Sequence, residues 1–494
     1  MARQVSTFSY GAPPRAVMPR LVEQAKAHPA LAAFWLVAVA ITSFHLYAFI
    51  SEPSVRVMAA GLISAAALIP AYLWCRRPES FGLPIFPLFA MTFVVKYAYP
   101  LAGDDEMITI YTDEDGMTAG LTVSFFLLVG TAAWYWVQGW VPKARGAVRA
   151  MRPGQGDLLF VGFVLAAAVF NLSMVGQWFY IEGWISVIRA AALGLASVGI
   201  FVLSYRAGAG ELSIPKKCAF LTAFVLFIAA HSMSLLLVDV MVATTFAMAA
   251  YVIGGGKLPW KVAAVLLMIF AILHQGKDEM RTEYWQRDAY TPVQIYEFPE
   301  FIAKWVRYGI EELNSPPREN KSWTLSQRLS LIPLLLKVQV ETPDRYPYMN
   351  GATYAVIPQL LIPRIFNPNK LNAHEGSHRL SIYYGLQTRE MTETSTIAWG
   401  PLIESYANFG ILGVLGLGIV AGVLNGAVAK AASGVPILSL RMLVAIVFTA
   451  LALQVEWTAG VYVSALFQSM VIIWATSFVL MQRRPLRQFQ LGTR

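Results

Sequence analysis

CAFLTAFVLFIAAHSMSLLLVDVMVATTFAMAAYVI, residues 218–253, decides how the whole chain is threaded. As one helix it would be far longer than the ~20 residues that cross a bilayer core. As two, it breaks at His231-Ser232-Met233-Ser234 and gives spans at 218–230 and 235–254. A single helix here would reverse every later loop across the membrane. Lysine and arginine favour the split. Arg15, Arg20 and Lys26; Arg76 and Arg77; Lys143, Arg145, Arg149 and Arg152; Arg206, Lys216 and Lys217; and Arg483, Arg484 and Arg487 fall in alternate loops and at both ends. Cytoplasmic loops collect positive charge, and only the split keeps both ends of the chain on that side. Asp104, Asp105, Glu106, Asp113, Glu114 and Asp115 then gather on the other.

Working outward, about twelve apolar runs of membrane-crossing length are read at 30–50, 55–75, 83–101, 117–141, 158–179, 185–205, 218–230, 235–254, 260–274, 411–430, 437–456 and 462–481. Composition agrees: 57% hydrophobic residues, 14% charged and a mean hydropathy of +0.54 exclude a soluble domain. The expected fold class is an all-α polytopic integral membrane protein. Residues 1–29 form a cytoplasmic amino-terminal segment, 30–274 the transmembrane helices up to the large loop, and 275–397 a partly helical periplasmic loop domain. Residues 398–481 carry the remaining spans with a re-entrant approach, and 482–494 a cytoplasmic tail. The net charge of +9 collects in short loops and at the ends, so it reports topology and not a nucleic-acid partner. Cys75 and Cys218 lie near span edges without a CxxC pair, which argues against a disulfide or a zinc site. No repeat or glycine-rich phosphate loop supports a nucleotide-driven pump.

The large loop carries legible structure. Ile295, Phe298, Ile302, Trp305, Ile310 and Leu313 recur at helical spacing among charged residues, predicting an amphipathic helix on the membrane surface. Thr324 and Gln327 form a capping-box pattern before a second helix at 325–340, striped by Leu329, Ile332, Leu335 and Leu336 despite Pro333. Residues 352–362, interrupted by Pro358, are too short to span and read as partly inserted.

Three stretches then point to a family: Arg281 just after a span, Pro363-Arg364-Ile365-Phe366-Asn367-Pro368-Asn369-Lys370, and Glu404-Ser405-Tyr406-Ala407-Asn408-Phe409-Gly410-Ile411-Leu412-Gly413 leading into the next span. Together they resemble the O-antigen and exopolysaccharide polymerases, the Wzy-type oligosaccharide repeat unit polymerases, over roughly the later half of the chain. The resemblance implies a GT-C-like membrane glycosyltransferase of the bacterial inner membrane, multi-pass, with both termini cytoplasmic. Its donor and acceptor would be polyprenyl-diphosphate-linked oligosaccharides, its surroundings membrane lipids, and its working partners a chain-length regulator and a flippase. No cofactor is implied. Where many members carry an acidic residue, this chain has Asn369.

The chemistry implied suits the residue types. A diphosphate is a good leaving group that needs charge stabilisation more than protonation. Arginine's planar fork supplies it bidentately and keeps its charge, so Arg281, Arg364 and Arg379, with Lys277 and Lys370, are the substrate-binding candidates. The acceptor hydroxyl wants a base, and Glu375, His374, His378 or Glu404 can serve. Trp399 and Tyr406, near Phe409, offer aromatic faces for a sugar ring, with a membrane-interface belt as the competing reading. Arg281 equally suits a lipid-headgroup anchor, and Lys96, Arg189 and Arg441 are expected to snorkel. His374 and His378 could form a metal face, but Gly376 weakens a helix there and a solvated turn is the expectation. The large loop carries no metal-binding Asp-x-Asp pair, so the transfer is expected to be metal-independent. An O-antigen ligase and a flippase-type transporter of polysaccharide or lipid remain as alternatives; the charge-poor early spans weigh against the transporter.

Overall fold

The computed structural model describes residues 29–77, 81–103, 106–152, 154–176, 185–235, 237–284, 294–315, 330–363, 366–367 and 369–486. Eight of its helices are long and apolar enough to cross a membrane. They are α1 (Pro29–Ser51), α2 (Val55–Arg76), α4 (Asp113–Trp140), α5 (Asp157–Val175), α6 (Ile185–Gly208), α7 (Ile214–Ser232), α16 (Gly400–Ala431) and α18 (Ala459–Leu480). A ninth arises if α9 (Trp260–Gln275) and α10 (Lys277–Tyr284), bent by 50° at Gly276, count as one span. Shorter apolar helices are α3 (Ile85–Phe93), which continues through a π turn at Val94–Ala98, α8 (Leu237–Ile253) and α17 (Leu440–Ala452). The chain is therefore a helical membrane protein. Leu36 and Ile50 of α1 are 74% and 69% exposed, as expected of a helix whose outer face meets lipid.

The reading at 218–253 is borne out as two helices. The chain turns at Met233–Leu235, and Leu235 takes a left-handed φ of 54°. α7 starts earlier than expected, at Ile214, because Pro215 is favourable in a first turn, where its missing N–H is harmless. Lys216 and Lys217 thus lie inside the helix. His231 is buried, its ring stacked 3.9 Å from that of Phe227.

α4 and α16 form the most extensive helix contact, made by glycine. A Cβ at Gly422 would lie 2.2 Å from the Gly130 carbonyl oxygen, one at Gly418 2.8 Å from that of Phe126, and one at Gly426 2.5 Å from Val137 Cγ1. Small residues let backbones approach where no water-driven force between helices exists. The amino end of α4 is fixed by a capping box. Thr112 Oγ1 accepts from Asp115 N at 3.1 Å, and the Asp115 carboxylate accepts from Thr112 N at 2.9 Å.

One end of the bundle gathers the basic loops. Buried Arg206 ion-pairs with buried Asp157 and donates to the carbonyls of Arg152 and Gln155, while Lys216 reaches the same carboxylate at 2.8 Å. One short two-stranded ladder accompanies the helices here. β1 (Ala147–Ala150) and β2 (Gln482–Pro485) pair antiparallel, because the chain after α4 and the chain after α18 emerge side by side. Extended Arg149 and Arg483 stand opposite each other in that ladder.

The other end carries the large loop. α11 (Phe298–Asn314) is the expected amphipathic helix, but its deepest face meets protein. Phe301 and Trp305 are buried, and Trp305 Nε1 donates to the Leu273 carbonyl of α9 at 2.7 Å. α12 (Ile332–Glu341) buries Ile332, Leu335 and Leu336, with Pro333 in its first turn and so no interruption. The expected capping box at 324 and 327 lies outside the described residues. α13 (Ile357–Leu361), in the stretch expected to be partly inserted, packs on α18. Lys96, expected to snorkel, instead forms an ion pair with Glu456, while its carbonyl accepts from Leu331 N at 3.0 Å. Arg441 donates to the Ala431 carbonyl, and the side chain of Arg189 lies outside the described residues.

Gly422→Ala should force α4 and α16 apart at a cost of about 1–3 kcal/mol, seen as a lowered Tm in detergent. Gly416→Ala, which would meet nothing within 4 Å, should leave the Tm unchanged. Equal Tm values for both variants would remove the glycine contact from its supporting role.

Candidate functional site

Where the large loop folds over the start of α16, that helix breaks. Gly410 has φ 61° and ψ −150°, a region essentially reserved for glycine, and a Cβ there would lie 2.8 Å from the Tyr348 hydroxyl. The Ala407 and Asn408 carbonyls accept from outside the helix, from Met349 N at 3.0 Å and Asn350 N at 3.1 Å. Asn408 completes the clamp: its Oδ1 accepts from Gly351 N at 2.9 Å, and its Nδ2 donates to Thr353 Oγ1 at 2.9 Å and to the Glu404 carbonyl at 2.7 Å. At the break, Tyr348, Asn350, Asn408, Phe409, Leu412 and Gly413 line an open groove of about 490 Å³.

The next carbonyl along the clamp positions an arginine. Arg379 Nη1 donates to the Ala352 oxygen at 3.0 Å, and its Nε reaches Glu375 Oε1 at 3.3 Å, one turn earlier on α14 (Glu375–Tyr383). Arg389, opening α15 (Arg389–Thr394), grips the same carboxylate with both terminal nitrogens, each at 3.3 Å. The Glu375 side chain is 8% exposed, whereas those of Arg379 and Arg389 are 38% and 56% exposed. Two cations are thus held on one buried anion and left partly open to a ligand.

His374 and His378 stand beside them with rings 6.3 Å apart and nearly parallel. The expected solvated turn is corrected: α14 forms in spite of Gly376, with His374 as its N-cap residue and Asn372 Oδ1 accepting from His374 N at 3.1 Å. His378 Nε2 lies 3.2 Å from Thr396 Oγ1. Burial lowers both pKa values from the ordinary 6.5; for His374 the neighbouring His378 adds to this, and for His378 Glu375 opposes it while Arg389 assists.

The remaining candidates separate. Glu404 is fully buried. Its Oε2 accepts from Ala459 N at 2.6 Å, so it caps α18 from a neighbouring helix. Its Oε1 faces Gly376, where a Cβ would lie 3.4 Å away. Trp399 is also fully buried and gives its Nε1 to Ser381 Oγ at 2.9 Å, which withdraws it from any sugar. Tyr406 is half-buried beside Tyr348. The open aromatic face is Phe409, 48% exposed and stacked at 5.9 Å on Tyr354. Arg281 Nη2 donates to the Leu235 carbonyl at 3.1 Å, on α10 with Lys277, in the apolar cluster of Met280, Phe301 and Trp305. The structure therefore joins Arg281 to the break between α7 and α8, and Lys277 lies one turn before it on α10. Arg364 lies outside the described residues. Lys370 follows a turn in which its N–H donates to the Asn367 carbonyl at 3.0 Å. Among the described residues no group of three or more His, Cys, Asp or Glu is placed to hold a metal ion.

Sequence reasoning missed Arg389 and the roles of Thr353, Asn408 and Thr458, whose Oγ1 lies 3.1 Å from Ser377 Oγ. Thr388, which accepts from Met391 N as an N-cap, was the available signal for α15. Asn408 two residues before Gly410 was the signal for a break. No family model, curated protein or solved structure matches the chain.

The two lowered histidine pKa values give stability a sign. Below about pH 6.5 the unfolded chain binds these protons more readily than the folded one. Stability is therefore full above that value and lost as pH falls through it toward the folded pKa. The Tm should decline between pH 7 and 5, and His374→Gln with His378→Gln should flatten that slope. An unchanged slope in the double variant would place the titration elsewhere.

Proposed function

We propose that this chain is a membrane glycosyltransferase that joins polyprenyl-diphosphate-linked oligosaccharide repeat units into a surface polysaccharide. The observation that carries the reading is the pair of partly exposed guanidinium groups, Arg379 and Arg389, gathered on Glu375 at one end of an apolar bundle beside two imidazoles whose protonation burial disfavours. An anionic substrate tethered to the bilayer by its lipid would meet charge and apolar surface together at such a place.

In this reading the acceptor hydroxyl oxygen attacks the anomeric carbon of the donor. The bond from that carbon to the diphosphate oxygen breaks, and the polyprenyl diphosphate leaves with the bonding electrons. Arg379 and Arg389 stabilise the charge that develops on it. His374 or His378 takes the hydroxyl proton, for which a neutral imidazole near pH 7 is suited. Glu375 is assigned to positioning and not to proton transfer, because both its oxygens face guanidinium groups. The Phe409–Tyr354 stack supplies an aromatic face for a sugar ring.

The same reading places the chain in a bacterial inner membrane with twelve passes, a GT-C-like arrangement, both termini in the cytoplasm and residues 275–397 outside. The junction of the basic segments 147–150 and 482–485 supports that sidedness. A reporter fused at Ser315 should report as periplasmic and one fused after Arg484 as cytoplasmic. The reverse result would put Arg379 and Arg389 on the wrong face for assembly outside.

Purified protein given lipid-linked repeat units should produce a ladder of longer lipid-linked products, also in the presence of a chelator. Arg389→Lys keeps charge but loses the fork and should lower the rate at least tenfold, about 1.4 kcal/mol in the barrier, with membrane abundance unchanged. Glycan passed only to a lipid A core acceptor would indicate a ligase, and a normal ladder from Arg389→Lys would remove Arg389 from the site.

A further inference from the structure

The basic end of the bundle holds a feature that the proposed reaction does not use. β1 and β2 pair in a register that sets Arg149 directly opposite Arg483, with Arg484 next in the strand. Side chains opposite one another in an antiparallel pair share a face, with Cβ atoms about 4.5–5.5 Å apart, and like charges there are destabilising. None of Arg145, Arg149, Arg483 and Arg484 has a carboxylate partner among the described residues. Acidic groups are not scarce at this end, since Arg206 is paired with Asp157 and lies near Glu211. Among the described residues the strand arginines have no acid, beside a network in which Arg206 and Lys216 share Asp157.

Aromatic residues fix the depth of this cluster. Arg149 lies over the ring of Phe478, 4.4 Å from its centroid, and Phe478 packs edge-on against Trp474 at 4.4 Å. Trp474 and Phe478 are 61% and 54% exposed, and Trp140, which closes α4 just before β1, is 71% exposed. Exposed tryptophan at the ends of membrane helices marks the headgroup level. Two arginines paired across the ladder at that level, with no acid beside them among the described residues, match a phosphate that can accept from both forks at once.

We infer that Arg149 and Arg483 form a binding site for the phosphate of an anionic phospholipid headgroup, which clamps the β1–β2 ladder and with it the carboxyl-terminal segment. The lipid converts a cross-strand repulsion into two charge-assisted contacts, and the exposed face of Trp474 and Phe478 receives its acyl chains. This inference is independent of the catalytic reading, because the site lies at the opposite end of α16 and α18 from Arg379.

The test uses the full chain in nanodiscs of phosphatidylglycerol or phosphatidylcholine, with hydrogen exchange followed at residues 147–150 and 482–485. Exchange there should be several-fold slower in phosphatidylglycerol, with residues 375–394 unaffected. Arg149→Gln with Arg483→Gln should abolish the difference; should that variant fail to fold, Arg483→Gln alone, on an exposed position, should reduce it. Inorganic phosphate or glycerol phosphate added to phosphatidylcholine discs should leave exchange unchanged. Equal exchange in the two lipids, a lipid effect that survives the substitutions, or protection by free phosphate would each overturn the assignment.

Discussion

A helix that breaks inside a membrane protein must find new partners for the carbonyls it frees, because lipid offers none. At Gly410 the partners are the backbone N–H groups of Met349 and Asn350, and this exchange organises everything around the candidate site. It pins the 349–353 segment to α16, which places the Ala352 carbonyl, which in turn holds Arg379. Arg379 and Arg389 then share Glu375. A backbone requirement in one helix thereby fixes the position of a charged cluster on another, through residues that are individually small and neutral. Asn408 is the hinge pin of the arrangement, since its amide bonds to Gly351, Thr353 and Glu404 at once.

The two carboxylates near this cluster illustrate how burial divides roles between like groups. Glu375 is buried with cations on both sides, and its partners remain partly open, so it orders a charge that others can use. Glu404 is buried with no cation against it among the described residues. Its bond to Ala459 N satisfies a helix amino terminus that Thr458, extended but without a side-chain cap, leaves open. A carboxylate in that place supports the packing of α18 on α16, and its enclosure keeps it from a substrate. The histidines differ from both: burial opposes their protonation, helped at His374 by His378 and at His378 by Arg389, and only Glu375 pulls His378 the other way.

Much of the membrane architecture was legible because a bilayer imposes long apolar runs, and the break at His231 was marked by a polar cluster that a continuous span would not tolerate. The β1–β2 ladder was not legible, since four-residue strands joined across more than 300 residues leave no local pattern. Pro333 misled in one respect: proline interrupts a helix interior but suits a first turn, and the choice depends on where the helix starts. Within the site, Glu375, His374, His378 and Arg379 were identifiable as chemistry-bearing residues crowded into one short polar stretch. Their division into positioning and reactive groups was not, because it depends on Arg389 arriving from the next helix and on Glu404 meeting α18. Trp399 and Phe409 exchanged places for a similar reason. A ten-residue separation in a broken helix does not reveal which ring turns inward.

The apolar packing explains why the site can be built on one side of the molecule without disturbing the other. One cluster joins α2, α3, α4, α12 and α16, and a second joins α5, α6, α7 and α18. α17 is the seam: Met442, Ala445 and Phe448 face the first cluster while Leu443 faces the second. At the basic end the seam is closed by hydrogen bonds, with Met151 N donating to the Leu438 carbonyl and the ladder bridging Ala150 to Ser439. At the other end the loop segments stand over the first cluster, where the break in α16 opens its groove. Rigidity and access are therefore separated along the bundle. The end rich in paired and strand-bound arginines holds the helices together, and the end with the broken helix presents unsaturated charge to whatever approaches from the bilayer.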